Sequence, residues 1–392
     1  MKPPAETASI MLSAGEASGD LHGGTLCRAL AELSPGIRLF GMGGPRMAAA
    51  GMDVVVDPTH RAVVGMSEAA GRLPELYRAY RALCRRLRES RPRALVVIDF
   101  PDFNLLLARR ARRAGVPVIY FIPPQIWAWR AGRLRQLARR VSRVLAVLPF
   151  ETGLYERAGV AVTFVGHPLL DALPFDLTRD EARRRLGLTP SDEVIGLLPG
   201  SRPEEIAGLL PPMLGAAARL YTSAPARRFA LGLAPSVARA TVEGMIREAG
   251  AGPRIQITEG RTYEVMAGAD ALLVASGTAT LEAALLGTPM VVCYRVSRLT
   301  EAVARLFVRG VQWVSLPNII AGRTVVAEIL QDEVRGPQLA HEAERLLCDP
   351  EQAALQRAAF KDIRSVLGEP GVGRRAARAV LEVAGAAASR AP

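Results

Sequence analysis

One stretch limits the fold more than any other: Asp270-Ala-Leu-Leu-Val-Ala-Ser-Gly-Thr-Ala-Thr-Leu-Glu-Ala-Ala-Leu-Leu-Gly287. Residues 271–275 are all apolar and of strand length, which predicts a buried strand. Ser276-Gly277-Thr278 is a turn, and 278–286 predict a helix that stops at Gly287. A Ser/Gly/Thr turn that feeds a helix presents backbone N–H groups and hydroxyls at the helix N-terminus, a site suited to phosphate. Glu282, one turn further in, is placed to accept hydrogen bonds from a sugar diol. Read alone, the stretch is equally an ordinary strand-turn-helix of an α/β sheet.

The same unit recurs along the chain. Residues 8–14 predict a first strand, Gly15-Glu16-Ala17-Ser18-Gly19-Asp20 a glycine-bearing turn, and 21–33 a helix. The turn is not G-x-G-x-x-G, so a dinucleotide fingerprint is not supported. Asp20 reads as the cap of that helix, and Glu16, Ser18 and His22 as candidate site residues. Gly41 to Met47 reads as a loop open to close backbone approach. Residues 72–89 predict an amphipathic helix, with Leu73, Leu76, Tyr77, Tyr80, Leu83 and Leu87 on its apolar face. Arg78, Arg81, Arg85 and Arg88 occupy the other face, either as a solvated surface or against a membrane.

Strand 94–98 ends at Asp99-Phe100-Pro101-Asp102-Phe103-Asn104. Ligands of open parallel sheets bind beyond the carboxyl ends of strands, so Asp99 is a catalytic candidate. Asp102 suits the cap of a helix beginning near Phe103. Strand 117–121 precedes Pro123 to Arg130, where Gln125, Trp127 and Trp129 either line a sugar or acyl pocket or belong to the core. A domain boundary falls near His167-Pro168. Strands at 194–198, 228–233, 254–258 and 271–275 then alternate with helices, and the tail is helical. Parallel sheets are expected in both halves. The division expected is 1–166, 167–345 and a C-terminal group of helices, 346–392, packing back towards the first domain.

Composition narrows the function. A chain of 392 residues exceeds one typical domain. No apolar run reaches the roughly 18 residues of a membrane span. Met1 to Thr7 lacks the apolar region of a signal peptide. Four scattered cysteines give neither a metal spacing nor a disulfide framework, which fits a reducing cytoplasm. The net charge of +12 favours phosphorylated substrates or anionic lipid. No nucleic-acid signature accompanies it, so no nucleic acid is expected as a partner. Pro199-Gly200-Ser201-Arg202 offers a further backbone nest, with Arg202 able to hold phosphate oxygens in a bidentate pair. Neither a Walker A motif nor Asp-x-Asp occurs, so no metal and no cofactor is expected, and arginine and helix ends must neutralise a leaving diphosphate. Two Rossmann-like halves with such turns suggest a cleft for a nucleotide-sugar donor.

Nine segments carry a family resemblance: Gly15 to Asp20, Gly44 to Met47, Asp99 to Asn104, Trp127 to Arg130, Leu148 to Glu151, Val165 to His167, Leu198 to Arg202, Ala275 to Thr278 and Val314 to Asn318. Occurring in this order over roughly residues 8–385, they closely resemble the lipid-A-disaccharide synthase family. The resemblance implies an α/β GT-B fold of two facing Rossmann-like domains and an inverting, UDP-sugar-dependent glycosyltransferase of a Gram-negative host. The implied reaction moves 2,3-diacylglucosamine from its UDP donor to the 6-hydroxyl of 2,3-diacylglucosamine 1-phosphate. It implies Asp99 as the base, with Arg202 and Asn318 as further catalytic residues. Gly200, Ser201, Arg202, Ser276, Gly277, Thr278 and Glu282 are expected to bind UDP, and Glu16, Ser18, Asp102, Gln125 and Trp127 to border the acceptor. Apolar surface for the acyl chains is expected near Val63, Val64, Met66 and Trp127. The implied location is cytoplasmic, peripheral on the inner face of the inner membrane, and a homodimer stays open. Two alternatives remain: another two-Rossmann UDP-sugar enzyme, such as an epimerase or a peptidoglycan-type glycosyltransferase, and a non-catalytic basic lipid-binding protein.

Overall fold

The computed structural model describes residues 8–58, 66–124, 131–250, 252–296 and 312–388, without the side chains of residues 17, 66–73, 131–133 and 387–388. Gln125, Trp127, Trp129, Val63, Val64 and the side chain of Met66 lie outside the described part.

The chain forms two compact units, Met1–Ala172 with Leu367–Pro392, and Leu173–Val366. In the first, the described strands are β1 (Ser9–Ala14), β2 (Arg38–Met42), β3 (Asp53–Val56), β4 (Ala94–Ile98), β5 (Val118–Phe121), β6 (Arg143–Ala146) and β7 (Val162–Phe164). Their order is β3-β2-β1-β4-β5-β6-β7, and every pair is parallel. In the second, β8 (Val194–Leu198), β9 (Arg228–Leu233), β10 (Ile255–Glu259), β11 (Ala271–Ala275), β12 (Met290–Tyr294) and β13 (Ala327–Leu330) run in the order β10-β9-β8-β11-β12-β13, again parallel throughout. In both sheets the strand order reverses next to the first strand, at β1/β4 and at β8/β11. That is the doubly wound pattern, and each reversal opens a crevice at the carboxyl ends of the strands.

Sequence explains which strands are central. β1, β4, β5, β8 and β11 are buried along their whole length, as strands of a sheet covered on both faces are, and apart from Ser9 and Ser13 of β1 and the phenol of Tyr120 they are apolar runs. Edge strands β7 and β10 are only partly buried. Met11, Phe40, Leu95, Val97 and Tyr120 meet Leu83 and Leu107 of the covering helices in the first core. Ile195, Leu231, Leu273 and Val291 meet Leu210, Met213 and Leu339 in the second.

The units divide at other places than 166/167 and 345/346. Helix Pro350–Val366 belongs to the second unit, where buried Gln356 donates to Met290 O (3.3 Å) and accepts from Met290 N (2.9 Å). Only the last helix, Val372–Ala388, belongs to the first. Asp171 accepts from Gly373 N at 2.9 Å, and Arg375 Nε donates to Val165 O at 2.9 Å. One side chain is clamped to β12 and another to the end of β7, and neither clamp has a sequence signature.

Helix Met66–Ser90 buries Leu83 and Leu87, but Tyr77 is 61% exposed and lies beside Arg81, whose guanidinium is 5.9 Å from the ring centroid. Tyr77 therefore leaves the expected apolar face. Arg78, Arg81, Arg85 and Arg88 are exposed.

Candidate active site

In the first unit the two loops at the reversal touch. Helix Ala17–Leu33 starts four residues earlier than its apolar periodicity suggests, with Glu16 at the N-cap and Ser18 in the first turn, both partly exposed. Asp20 thus lies inside the helix and does not cap it. It is buried, and it accepts from the N–H groups of Gly44 (2.8 Å), Arg46 (3.0 Å) and Met47 (3.0 Å). Those groups start the short helix Pro45–Ala49, which replaces the loop expected there. Asp20 is a cap, but for a different helix.

Asp99 stands at the carboxyl end of β4, at the reversal point. Asp99 (φ +48°) and Phe100 (φ +47°) are both left-handed, a conformation that costs on the order of 1–3 kcal/mol each at non-glycine residues. Buried Asn104 supports it: its Nδ2 donates to Asp99 O (2.7 Å), Ile98 O (3.1 Å) and Ser13 O (3.2 Å), and its Oδ1 accepts from Ser13 Oγ (2.7 Å). Tyr120 Oη also donates to Asp99 O, at 2.8 Å. Gly15 is required here, because a Cβ would lie 2.2 Å from Phe100 Cδ1. Backbone strain held by this many contacts concentrates at functional positions. Asp102 is not the cap that the sequence suggests. Pro101 takes the first helical position, Phe100 is the N-cap, and Asp102 is exposed in the first turn.

In the second unit, Pro199 to Arg202 follow β8, and Ser276 to Thr278 follow β11, on the two sides of the reversal. Gly200 has φ +114°. The nest around it is occupied by the protein itself. Glu205 Oε2 accepts from Ser201 N (2.9 Å) and Arg202 N (3.3 Å), and Oε1 from Arg202 Nη1 (3.2 Å). This is the returning half of a capping box on helix Pro203–Ser223. Ser276 Oγ donates to Val314 O (2.8 Å) and Ser276 N to Cys293 O (2.8 Å), so this hydroxyl braces the turn. Gly277 and Thr278 are exposed, and helix Thr278–Leu285 begins there with no side-chain cap, while Thr280 donates its N–H (3.2 Å) and its Oγ1 (2.7 Å) to Gly277 O. Partly buried Glu282 accepts from Tyr263 Oη at 3.2 Å, and burial pushes its carboxyl above the usual range.

Asn318 differs most from expectation. It is fully buried, donates to Val326 O (2.9 Å) and Glu328 Oε1 (2.8 Å), and accepts from Val325 N (2.6 Å) and Val326 N (2.9 Å). An amide has two donors and two acceptor sites of this kind, and all are spent on the protein. Asn318 here fixes a loop and presents nothing to a substrate. Sequence reading missed Ser13, Tyr120, Glu205 and Glu328. The one signal for Glu328 is a carboxylate inside the strand Ala327-Glu328-Ile329-Leu330. Among the described residues no three His, Cys, Asp or Glu side chains cluster as a metal site.

The fold and the placement of these loops define a GT-B protein with two Rossmann-like units, each carrying its candidate residues at the topological reversal. Solved structures share this fold: the UDP-GlcNAc 2-epimerase from Neisseria meningitidis (TM-score 0.66, 14% identity, 96% of this chain and 100% of that one) and the calicheamicin glycosyltransferase CalG4 (TM-score 0.59, 16% identity, 97% and 99%). Within that class the sequence is decisive. The family model described as lipid-A-disaccharide synthetase matches residues 10–383, and the lipid-A-disaccharide synthase of Geobacter metallireducens is 44% identical over 376 residues, 96% of this chain and 97% of that protein. The chain belongs to the lipid-A-disaccharide synthase family, and it is a glycosyltransferase.

Proposed function

We propose that the chain transfers 2,3-diacylglucosamine from UDP-2,3-diacylglucosamine to the 6-hydroxyl of 2,3-diacylglucosamine 1-phosphate, with inversion. The observation that carries the residue roles is the position of Asp99 at the β1/β4 reversal, in a strained and heavily supported turn. As the acceptor oxygen bonds to the anomeric carbon, the Asp99 carboxylate takes the hydroxyl proton and the bond to UDP breaks on the opposite face. The charge on the departing diphosphate falls to Arg202 and the N–H groups that begin helix Thr278–Leu285. Glu282 accepts from the ribose hydroxyls.

Asp99→Asn tests this. Asparagine tolerates the left-handed φ and keeps the carbonyl that Asn104 and Tyr120 hold. Turnover with the defined diacyl substrates is expected to fall about 10²–10⁴-fold, with UDP affinity and melting temperature nearly unchanged. Normal turnover in this variant would remove Asp99 as the base.

Both substrates carry acyl chains, yet no helix of the described residues is long and apolar enough to cross a membrane. Peripheral binding to an anionic leaflet through the exposed arginines of helix Met66–Ser90 reconciles the two. Each basic side chain near such a surface contributes about 1 kcal/mol, weakened by salt. Co-sedimentation with phosphatidylglycerol vesicles is expected to decline as salt rises. Equal binding to neutral and anionic vesicles at every salt concentration would rule out this electrostatic attachment.

A further inference from the structure

Glu328 lies in edge strand β13, paired with Val292 of β12, and is partly buried. Its carboxylate accepts four hydrogen bonds. Oε2 accepts from Val314 N (2.9 Å). Oε1 accepts from Ser315 N (2.9 Å), Ser315 Oγ (2.6 Å) and Asn318 Nδ2 (2.8 Å). An ionised carboxylate, with about four acceptor sites and no donor, is the side chain that can satisfy all four. The segment it gathers is Val314 to Asn318, and the carbonyl of Val314 in turn accepts from Ser276 Oγ at 2.8 Å. A continuous path thus runs from Glu328 through the Val314 peptide to the turn after β11.

We propose that Glu328 is a positioning residue for the donor: through Val314 and Ser276 it sets the aim of the Ser276-Gly277-Thr278 turn at the donor diphosphate. The inference rests on the reading above that this turn holds the diphosphate. Ser276 spends its hydroxyl proton on Val314 O, so the anion is met by backbone N–H groups, whose direction depends on where the turn is pinned. Those groups follow Gly277, whose missing side chain leaves open space, and the turn is held locally by Ser276 N on Cys293 O (2.8 Å) and Thr280 Oγ1 on Gly277 O (2.7 Å), with the Ser276 hydroxyl on Val314 O tying it to the segment that Glu328 gathers. Asn318 belongs to the same device, since its amide ties Glu328 to Val325 and Val326.

The test compares Glu328→Gln, Ser315→Ala and Ser276→Ala by UDP calorimetry, steady-state kinetics in both substrates and thermal melting. A glutamine cannot accept on both sides: its NH2 must face either Val314 N–H or the Ser315 and Asn318 donors. Glu328→Gln is expected to raise the UDP Kd and the donor KM about tenfold, with kcat changed less than about threefold and acceptor KM unchanged. Ser315→Ala, which removes one of the four bonds, is expected to move donor KM the same way by a smaller factor. In the Ser276→Ala/Glu328→Gln double variant the UDP Kd is expected to be no worse than in the weaker-binding single variant, because both act on one path. A merely structural Glu328 would lower the melting temperature and leave donor KM alone. Impaired Ser276→Ala with unchanged donor KM in Glu328→Gln and Ser315→Ala overturns the role of Glu328 while the donor turn stands. Normal UDP affinity in Ser276→Ala overturns the pin through Val314, and with it the inference, while the reading that the turn's backbone N–H groups hold the diphosphate stands. If Glu328→Gln does not fold, Ser315→Ala decides alone: a raised donor KM supports the role and an unchanged one ends it.

Discussion

A carboxylate already sits where the second unit is expected to take phosphate. Glu205 makes the contacts that a diphosphate would want, two backbone N–H groups and the Arg202 guanidinium. It competes with the ligand by charge, and it also stabilises its helix as a cap. A unit charge a few ångströms from a bound anion is worth about 1 kcal/mol at solvated distances, or a factor of about five in affinity. Glu205→Gln is therefore expected to bind UDP about fivefold more tightly by calorimetry, and to lose about 1 kcal/mol of stability from the weakened cap. Unchanged or weaker UDP binding would mean that the donor phosphates do not use the Ser201 and Arg202 amides. Arg202 is the residue this decides for, because its guanidinium is shared with Glu205 until a ligand displaces it.

Elements were legible where apolar periodicity alone determines them. Strands 94–98, 194–198, 228–233 and 271–275 occupy the residues their composition marks, and so do the reversal loops that end 94–98, 194–198 and 271–275. Helix starts were less legible. The helix after β1 begins at Ala17, because a Gly- and Ser-containing first turn has no apolar stripe to announce it. The helix after β4 begins at Pro101, since proline with its fixed φ suits a first helical position better than the one just outside it. Both shifts moved an aspartate by one structural role: Asp20 braces helix Pro45–Ala49, and Asp102 faces outward. Long-range polar bracing was illegible altogether. Asn104 reaches Ser13 across 91 positions, and Asn318 spends its amide on a segment that no local pattern ties to it. The site's positions were therefore readable as loops at strand ends, while the groups that hold those loops were not.

At the scale of the molecule the two units carry different acid responses. His22 and His167 both lie in the first unit, and both are buried. Burial, with Arg46 nearby, lowers the His22 pKa from 6.5 to about 4. Burial, with His22 nearby, lowers that of His167 from 6.5 to about 3. Between these values and 6.5 the unfolded chain binds protons that the folded unit refuses, so stability falls as pH falls through that window and is fully regained above it. The slope is up to about 1.4 kcal/mol per pH unit for each histidine. In the second unit Glu282, raised by burial, takes up a proton and gains stability as pH falls, and two other shifted acids act lower. Hydrogen bonds from Arg227 lower the Glu344 pKa below 4.5, and the Thr189 amide lowers that of Asp192 below 3.8. Their stabilising effect is present above the unfolded values and lost only as pH falls through the folded ones. Between pH 6.5 and 5, amide hydrogen exchange is therefore expected to quicken in β1 and β4 after correction for its intrinsic pH dependence, and not to quicken in β8 and β11. Replacing both histidines by glutamine should flatten the response of the first sheet, because glutamine does not titrate. Equal loss of protection in the two sheets, or a first-sheet response that survives the double replacement, would assign the acid sensitivity to other groups.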